Sequence, residues 1–284
     1  MYEDFYGFKE LPFNVTPDPK FLYRSNGHKE ALAYITYGVF QRKGFICLTG
    51  EVGVGKTTII NAFIDLFQPS LDVAFVYSTR FPFDQLLYLI CEDFGLEVEG
   101  MNKAQMLNRL SRFLIEQYKK NRNTVLIIDE AHNLSPEVLE ELRMLSNLET
   151  RSMKLLQIML VGQPELEEIL DLKQMRQLKQ RIPGLYRISI LSKADVARYI
   201  DYRIKVAGRG NGVPKFTSGS IEEIYHYSKG IPRLINVLCD RVLLVGYVSN
   251  TRNIDGNIVR ESIRDLERRP SREFRQESSK YNNY

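Results

Sequence analysis

The sequence has little that would support a disulfide framework, a metal centre or a membrane anchor. Its three cysteines and three histidines lie far apart and do not have metal-ligand spacing. No apolar run approaches the ~20 residues of a transmembrane helix, and the first residues lack the basic segment and apolar core of a secretion signal. We therefore expect buried free thiols, no direct membrane span and a cytoplasmic location.

A strong charge imbalance is also missing. The formal net charge is +4, and positive and negative residues are interspersed along most of the chain, which is typical of a solvated surface. So mild a balance permits contact with nucleic acid or acidic lipid without arguing for either. At 284 residues, with 44% hydrophobic and 26% charged residues, the chain should form a globular protein with one large or two unequal domains.

A glycine-rich loop provides the first functional signal. It follows an apolar run at residues 45–49 and precedes a run with helical apolar spacing at residues 59–67. Strand, loop and helix in this order are the context in which G-x-x-x-x-G-K-[ST] binds phosphate through backbone N–H groups and the helix dipole. We expect Lys56 to reach the β- and γ-phosphates and Thr57 to offer its hydroxyl to Mg²⁺. The loop residues predicted to bind nucleotide are Gly50, Glu51, Val52, Gly53, Val54, Gly55, Lys56, Thr57 and Thr58.

Strands and helices alternate up to residue 192. Apolar runs rich in β-branched residues predict strands covered on both faces, so we expect an α/β fold of the P-loop NTPase type, a three-layer αβα parallel sheet. Strand signals then stop, which predicts a small all-helical lid domain. The predicted domains are residues 1–192 and 193–268, followed by a disordered polar tail at 269–284. Strands are predicted at residues 45–49, 72–78, 124–129, 155–162 and 186–191, and helices at 28–42, 82–94, 104–118, 136–148, 164–181, 195–207, 218–228, 233–248 and 255–268.

The N-terminal residues 1–27 are rich in aromatics, proline and turn residues. We expect no regular helix there, because proline removes a backbone donor and pushes the preceding residue out of the α region. The aromatic side chains must still be buried. They either pack on the core or form a clasp around an adenine base, and both can hold together.

A pair of carboxylates, Asp129 and Glu130, ends the strand predicted at residues 124–129. Because the carboxyl ends of parallel strands form the ligand-binding edge of an open sheet, we expect Asp129 to hold Mg²⁺ and Glu130 to polarise a water against the γ-phosphate. The alternative for Asp129 alone is a cap on the following helix. Gln163 ends the strand at residues 155–162, and it can reach the γ-phosphate or the attacking water if the two strands are neighbours.

Two arginines can bring positive charge to the phosphates. Arg181 ends a predicted helix and can point across a subunit boundary into a neighbour's nucleotide. Arg176 is its rival for that role, and a solvated helix-end arginine is the alternative. Arg233 opens a helix of the predicted lid, from which it can reach the phosphates; otherwise it is a lone arginine at the edge of the core.

Two similar motifs are rejected. Residues 129–132 spell the DEAH tetrad of some helicases, but no second RecA-like half is present, so we expect His132 to be a local helix-entry residue. Residues 192–195 weakly resemble the guanine-reading [NT]-K-x-D motif, but the first position is Ser192, which can cap a helix. Adenine is therefore the preferred base, and the expected ligands are ATP and Mg²⁺.

With these elements in place, the chain resembles AAA+ ATPases of the Orc/Cdc6-like branch. Within it the chain is similar to the ExeA/GspA group of secretion-associated ATPases, which is related to TniB/TnsC-type transposition ATPases. The phosphate loop and the Asp-Glu pair are typical of NTPases generally, whereas the Gly-Gln-Pro-Glu-Leu stretch and the aromatic N-terminus indicate this group. The matching stretches are residues 5–8, 11–13, 17–19, 48–58, 127–132, 161–166, 180–182 and 230–236.

The resemblance implies an ATP-hydrolysing oligomer, either a ring or a filament, with a protein partner at the membrane or envelope in secretion, pilus or polysaccharide export assembly. The alternative is a DNA-associated ATPase of the TniB/TnsC or initiator type, although no winged-helix or RNP-type motif supports DNA readout. A scaffold without turnover is a third possibility, against which the intact Glu130 argues. The implied roles are ATP and Mg²⁺ binding by Lys56 and Thr57, Mg²⁺ binding by Asp129, catalytic base for Glu130, sensor 1 for Gln163, arginine finger for Arg181 and sensor 2 for Arg233.

One position departs from the group. At the end of the second strand the group often has an asparagine, whereas residues 78–80 here are Ser-Thr-Arg. The residue that serves as the glutamate switch therefore stays open.

Overall fold

The computed structural model describes residues 1–16, 18–77, 81–151, 153–208 and 213–267. The predicted polar tail and the Ser-Thr-Arg segment at 78–80 lie outside the described residues. Within the described ranges, no helix is both long and apolar enough to cross a membrane. Contacts divide the chain into two compact units, one of residues 17–189 and one that joins residues 1–16 to the chain from residue 190 onward.

Helices surround the predicted strands in the first unit and make up most of the second. The helices are α1 Tyr2–Tyr6, α2 Asn26–Phe40, α3 Lys56–Phe67, α4 Phe83–Asp93, α5 Lys103–Lys119, α6 Pro136–Leu145, α7 Glu165–Asp171, α8 Arg176–Lys179, α9 Lys193–Ala207, α10 Ser218–Ser228, α11 Pro232–Val248 and α12 Gly256–Glu267. Short 3-10 helices lie at Pro19–Phe21, Gln68–Ser70, Ala131–Asn133 and Lys173–Met175.

The first unit is built on a five-stranded sheet in which all paired strands are parallel. The strands are β1 Phe45–Thr49, β2 Leu71–Tyr77, β3 Asn123–Asp129, β4 Leu156–Gly162 and β5 Leu185–Arg187, in the spatial order β2-β3-β4-β1-β5. Every residue of β1, β3 and β4 is buried. Their continuous apolar runs therefore mark strands covered on both faces, as predicted.

Side-chain alternation along β1 separates two hydrophobic clusters and creates the three layers. Ile46 and Leu48 pack in a cluster with apolar residues of α2 and α3. Phe45 and Cys47 belong to the cluster on the other face, which contains apolar residues of α4 to α8. The predicted α/β fold with a parallel αβα sheet is thus confirmed.

The predicted free thiols are also found. Cys47, Cys91 and Cys239 are all buried and unbridged. Burial raises the pKa of Cys47 to about 12 and that of Cys91 to about 11, so these thiols are unreactive near neutral pH.

The single helix predicted at residues 164–181 is wrong. The chain instead forms α7, an extended residue at Leu172 with φ −60° and ψ 141°, a 3-10 turn, and α8. In one continuous helix Met175 would lie on the opposite side from Leu166. The break brings both into the core, where Leu166 is 0% exposed and Met175 is 2% exposed.

The second unit is helical, as predicted, with one small exception. Residues 215–216 and 253–254 form a short parallel pair, β6 Lys215–Phe216 with β7 Asn253–Ile254. Two-residue strands lack the alternating or continuous apolar pattern on which strand prediction depends. They hold the segment before α10 beside the segment before α12.

The N-terminal residues 1–16 belong to this helical unit. Tyr6 is fully buried, and its hydroxyl donates to the carbonyl oxygens of Leu243 and Thr251, each at 3.2 Å. Buried Arg203 donates to the carbonyl oxygens of Pro12 and Asn14. The packing thus differs from the predicted division, which placed these residues in the domain of residues 1–192.

The expectation of no regular helix in residues 1–27 is also wrong. Helix α1 forms within the first six residues, ahead of the first proline at position 12, so no missing donor interrupts it. Aromatic side chains of this segment pack in the helical unit, where Tyr2, Phe8 and Phe13 are buried.

Candidate nucleotide-binding site

The glycine-rich loop leaves β1 at the carboxyl edge of the sheet and enters α3 at Lys56. Gly53 and Gly55 have φ angles of +80° and +102°, which residues with a side chain adopt only with strain. Gly55 is the N-cap of α3 and has no side chain to bond the first turn. The N–H groups of that turn, together with the positive end of the helix dipole, therefore suit an anion.

Lys56 spans the loop from its buried position. Its Nζ donates to the carbonyl oxygens of Gly50, at 2.7 Å, and Glu51, at 3.1 Å, while the residue is 7% exposed. Burial lowers the pKa of Lys56, and the carboxylates of Glu130 and Asp129 oppose that effect. Phosphate oxygens would be stronger partners for this ammonium group than the two carbonyls.

Asp129 ends β3 and faces the start of α3. One carboxylate oxygen accepts from the Thr57 hydroxyl at 3.0 Å, and the other accepts from the Glu130 backbone N–H at 2.9 Å. Asp129 is 3% exposed, and burial raises its pKa against the lowering effect of these hydrogen bonds. A carboxylate beside a hydroxyl is a donor set that fits Mg²⁺, which binds oxygen ligands and keeps several waters.

Glu130 follows in a left-handed conformation, with φ +53°, which begins a 3-10 turn. Its carboxylate is partly exposed, at 44% of the side chain, and can therefore meet a water molecule. Strand β4 lies directly beside β3, so the condition set for Gln163 is met. Gln163 Nε2 donates to Glu130 Oε2 at 3.3 Å.

His132 also lies in this group, although the sequence suggested only a helix-entry residue. It does belong to the short 3-10 turn after Glu130, and its ring in addition contacts both Glu130 and Gln163. The Asp-Glu-Ala-His motif at residues 129–132 is the sequence signal for this histidine, and its local geometry does not depend on a helicase fold.

A second histidine, His28, supports the loop from α2. Its Nε2 lies 3.1 Å from the Val54 carbonyl oxygen, and its Nδ1 lies 2.5 Å from the Ser25 hydroxyl. His28 is 5% exposed. Nothing in the sequence pattern links a residue so far before the loop to Val54, so sequence reasoning missed it.

Among the described residues, Arg181 bonds the end of α6 and not the group around Asp129. Arg181 Nη1 donates to Ser146 Oγ at 2.9 Å and to Asn147 Oδ1 at 2.6 Å, at the end of α6. Its rival Arg176 is exposed at the start of α8. Arg233 lies in the first turn of α11, in the helical unit.

Sequence comparison agrees with this architecture. A family model described as an AAA domain matches residues 39–170. General secretion pathway protein A of Aeromonas hydrophila is 40% identical over 255 residues, which make up 89% of this chain and 46% of that protein. The chain therefore spans about half the length of the relative that it matches.

Solved structures share the fold at low sequence identity. The Aeropyrum pernix ORC2 protein in its ADPNP–ADP complexes aligns with a TM-score of 0.67 and 17% identity, over 95% of this chain and 75% of that chain. The Aeropyrum pernix ORC1 protein in complex with DNA aligns with a TM-score of 0.64 and 13% identity, over 92% of this chain and 70% of that chain. At such identities the likeness shows the fold alone.

Proposed function

We propose that this chain, which matches an AAA domain and is similar to general secretion pathway protein A, is an AAA+ ATPase that binds ATP with Mg²⁺ at the site of Lys56 and Asp129. We further propose that Glu130 is the base for hydrolysis and that the protein acts as an oligomeric motor or switch in envelope assembly. The observation that carries the proposal is the Thr57–Asp129 hydrogen bond of 3.0 Å. It joins the phosphate loop to the strand-end carboxylate, and the two groups supply oxygen donors of the kind that suits Mg²⁺.

Each residue of the site has a distinct task in this proposal. Lys56 exchanges its two carbonyl partners for oxygens of the β- and γ-phosphates. Thr57 and Asp129 hold Mg²⁺, which neutralises phosphate charge when it is bound. Residues 50–58 wrap the phosphates with backbone N–H groups. Gln163, at the edge of the neighbouring strand, contacts the γ-phosphate or the attacking water.

Hydrolysis needs one proton acceptor and little other covalent chemistry from the protein. A water molecule attacks the γ-phosphorus in line with the bridging oxygen, the P–O bond to ADP breaks, and Glu130 accepts the proton of the water. The half-exposed Glu130 carboxylate beside buried Asp129 suits this division of work. One carboxylate is desolvated and held for the metal, while the other is open to water.

A nucleotide titration tests the proposed site. We expect Lys56→Ala to lose most affinity for a fluorescent ATP analogue. In Thr57→Val, the increase in affinity for the analogue on adding Mg²⁺ should be about 10-fold smaller, because the variant lacks a hydroxyl that lies beside a charged partner. Thr36→Val is the control, since within the described residues the Thr36 hydroxyl donates to the helix carbonyl of Leu32 at 2.7 Å. Equal Mg²⁺ dependence in Thr57→Val and the control would contradict the metal assignment.

The proposed assembly makes Arg181 a residue that acts across a subunit boundary, with Arg176 as the rival. In the isolated chain, Arg181 is held by polar groups at the end of α6 and not by its own phosphate loop. Because this guanidinium is already held in one position, it would lose little side-chain entropy on binding the nucleotide of a neighbouring subunit. Arg233, in the first turn of a lid helix, would carry positive charge toward the phosphates from the second unit.

The proposed role in envelope assembly is based on the similarity to general secretion pathway protein A. The name of that protein places it in general secretion, and this chain spans less than half of it, so a protein partner at the membrane or envelope is our proposal. The DNA-associated alternative draws on the fold shared with an ORC1 protein in complex with DNA. A net charge of +4 is too mild to favour it.

A further inference from the structure

His132 joins the two residues expected to act at the γ-phosphate end of the site. Its Nδ1 lies 3.3 Å from the backbone nitrogen of Gln163, and its Nε2 lies 3.3 Å from Glu130 Oε2. The side-chain amide of Gln163 lies 3.0 Å from the same Nε2. The ring is therefore in contact with the end of β3 and with the end of β4 at once.

The two ring nitrogens must do different work. The backbone N–H of Gln163 can only donate, so Nδ1 is the acceptor and the neutral ring carries its proton on Nε2. That Nε2–H lies 3.3 Å from Glu130 Oε2, and an ionised carboxylate can only accept. The Gln163 amide nitrogen, 3.0 Å from Nε2, is itself a donor, so in this tautomer it does not bond the ring and instead donates to the same Glu130 oxygen. One ring nitrogen thus fixes the Gln163 backbone, and the other orients the Glu130 carboxylate.

The surrounding backbone keeps the ring in this position. The left-handed conformation of Glu130 turns the chain sharply into the 3-10 turn that carries His132. Strand β4 ends beside that turn, because a Cβ added at Gly162 would lie in van der Waals contact with the His132 backbone nitrogen, at 3.4 Å. The His132 side chain is only 13% exposed.

We propose that His132 is a positioning residue that couples Gln163 to Glu130, so that contact of Gln163 with the γ-phosphate and alignment of the base occur together. This inference rests on the proposed function, in which Glu130 is the base and Gln163 contacts the γ-phosphate. It also assigns a partner to Glu130 within the described residues, whereas the sequence left open which residue serves as the glutamate switch. In the proposal, His132 contacts neither the oxygen atoms that hold Mg²⁺ nor the reacting atoms.

Two amide substitutions at His132 separate the contact of Nδ1 with Gln163 from the contact of Nε2 with Glu130. Asparagine can place its side-chain oxygen near the Nδ1 position, and glutamine can place its amide donor near the Nε2 position. We expect His132→Ala to lower kcat about 10-fold, the worth of one hydrogen bond to a charged group, with the KM for ATP changed less than twofold. His132→Gln should recover most of kcat and His132→Asn should not.

The second readout does not depend on hydrolysis. The preference for a non-hydrolysable ATP analogue over ADP reports the γ-phosphate contact of Gln163, so Gln163→Ala should reduce it. His132→Ala should reduce it in the same way, by several-fold, and His132→Asn should recover it while His132→Gln should not. A Gln163→Ala, His132→Ala double variant should lose no more preference than either single variant, because residues acting as one unit are non-additive.

Separate outcomes overturn the inference and the proposed function. If His132→Ala leaves both kcat and the preference for the ATP analogue within twofold of wild type, His132 does not position these residues. Equal behaviour of His132→Asn and His132→Gln in both readouts would also overturn the inference. Undiminished turnover in Glu130→Gln would instead remove Glu130 as the base, while the preference for the ATP analogue would still report on the bond from His132 to Gln163. Urea denaturation of each variant confirms that it is folded.

Discussion

Replacing Gly55 by alanine tests how the phosphate loop is held in shape. Gly55 has φ +102°, and a Cβ there would lie 3.3 Å from His28 Nε2. His28 cannot move away without loss, because its ring is bonded to the Val54 carbonyl and to the Ser25 hydroxyl. Alanine at this position therefore faces both backbone strain and a fixed neighbour.

The two effects can be given magnitudes. An alanine forced into a left-handed conformation costs about 1–2 kcal/mol. Displacing His28 far enough to relieve the contact weakens at least one buried hydrogen bond, which adds about 1 kcal/mol. We expect Gly55→Ala to lower the free energy of unfolding by about 2–3 kcal/mol.

Gly95→Ala is the matched control. Gly95 has φ +72°, but in the described part of the chain a Cβ there would meet no atom within 4 Å. It should therefore show the strain alone, about 1–2 kcal/mol. Urea unfolding followed by circular dichroism measures both variants, and Gly55→Ala is repeated in a His28→Ala background, where its excess cost should vanish. Equal costs for Gly55→Ala and Gly95→Ala, or an excess that persists without His28, would refute the reasoning.

Three other predictions concern the helical unit, the assembly and DNA. Tyr6→Phe removes a hydroxyl that donates to two backbone carbonyls, so urea unfolding of the helical unit should shift by about 1–2 kcal/mol; no shift would mean that these bonds contribute nothing. Arg181→Ala should lower turnover in the assembly without lowering single-subunit ATP affinity, and mixing it with Lys56→Ala should restore activity; restoration with Arg176→Ala in its place would identify Arg176 as the finger. Under the proposed secretion role, duplex DNA should not stimulate turnover even at low salt, whereas stimulation that weakens steeply with salt would favour the DNA-associated alternative.

The parts of the fold that depend on short-range pattern were predictable. Strands β3 and β4 are buried and contain continuous apolar runs, and such a run predicts a strand covered on both faces in any parallel sheet. Gln163 was placed at the site on the one condition that β3 and β4 be neighbours; they are, and its amide contacts Glu130. Spacing also predicted the place of residues 50–58 after a strand and at the start of a helix. That their backbone binds phosphate stays a prediction.

The parts that depend on long-range contact were not predictable. His28 acts on Val54 through a single hydrogen bond between distant positions, and no periodicity records it. Residues 1–16 pack with the helical unit because Arg203 and α11 offer partners that a composition-based interpretation does not reveal. The break at Leu172 follows from where the core lies and not from a helix-breaking residue, so propensity gave no warning.

Phosphate release from ATP by the wild-type protein and by Glu130→Gln tests the central proposal most directly. Glu168→Gln is the control, because it removes the same charge from an exposed position on α7. We predict Mg²⁺-dependent turnover in the wild type and control, and a loss of about 100-fold or more in Glu130→Gln with ATP binding retained, as expected when a general base is removed. Turnover in Glu130→Gln equal to that of Glu168→Gln would contradict the account.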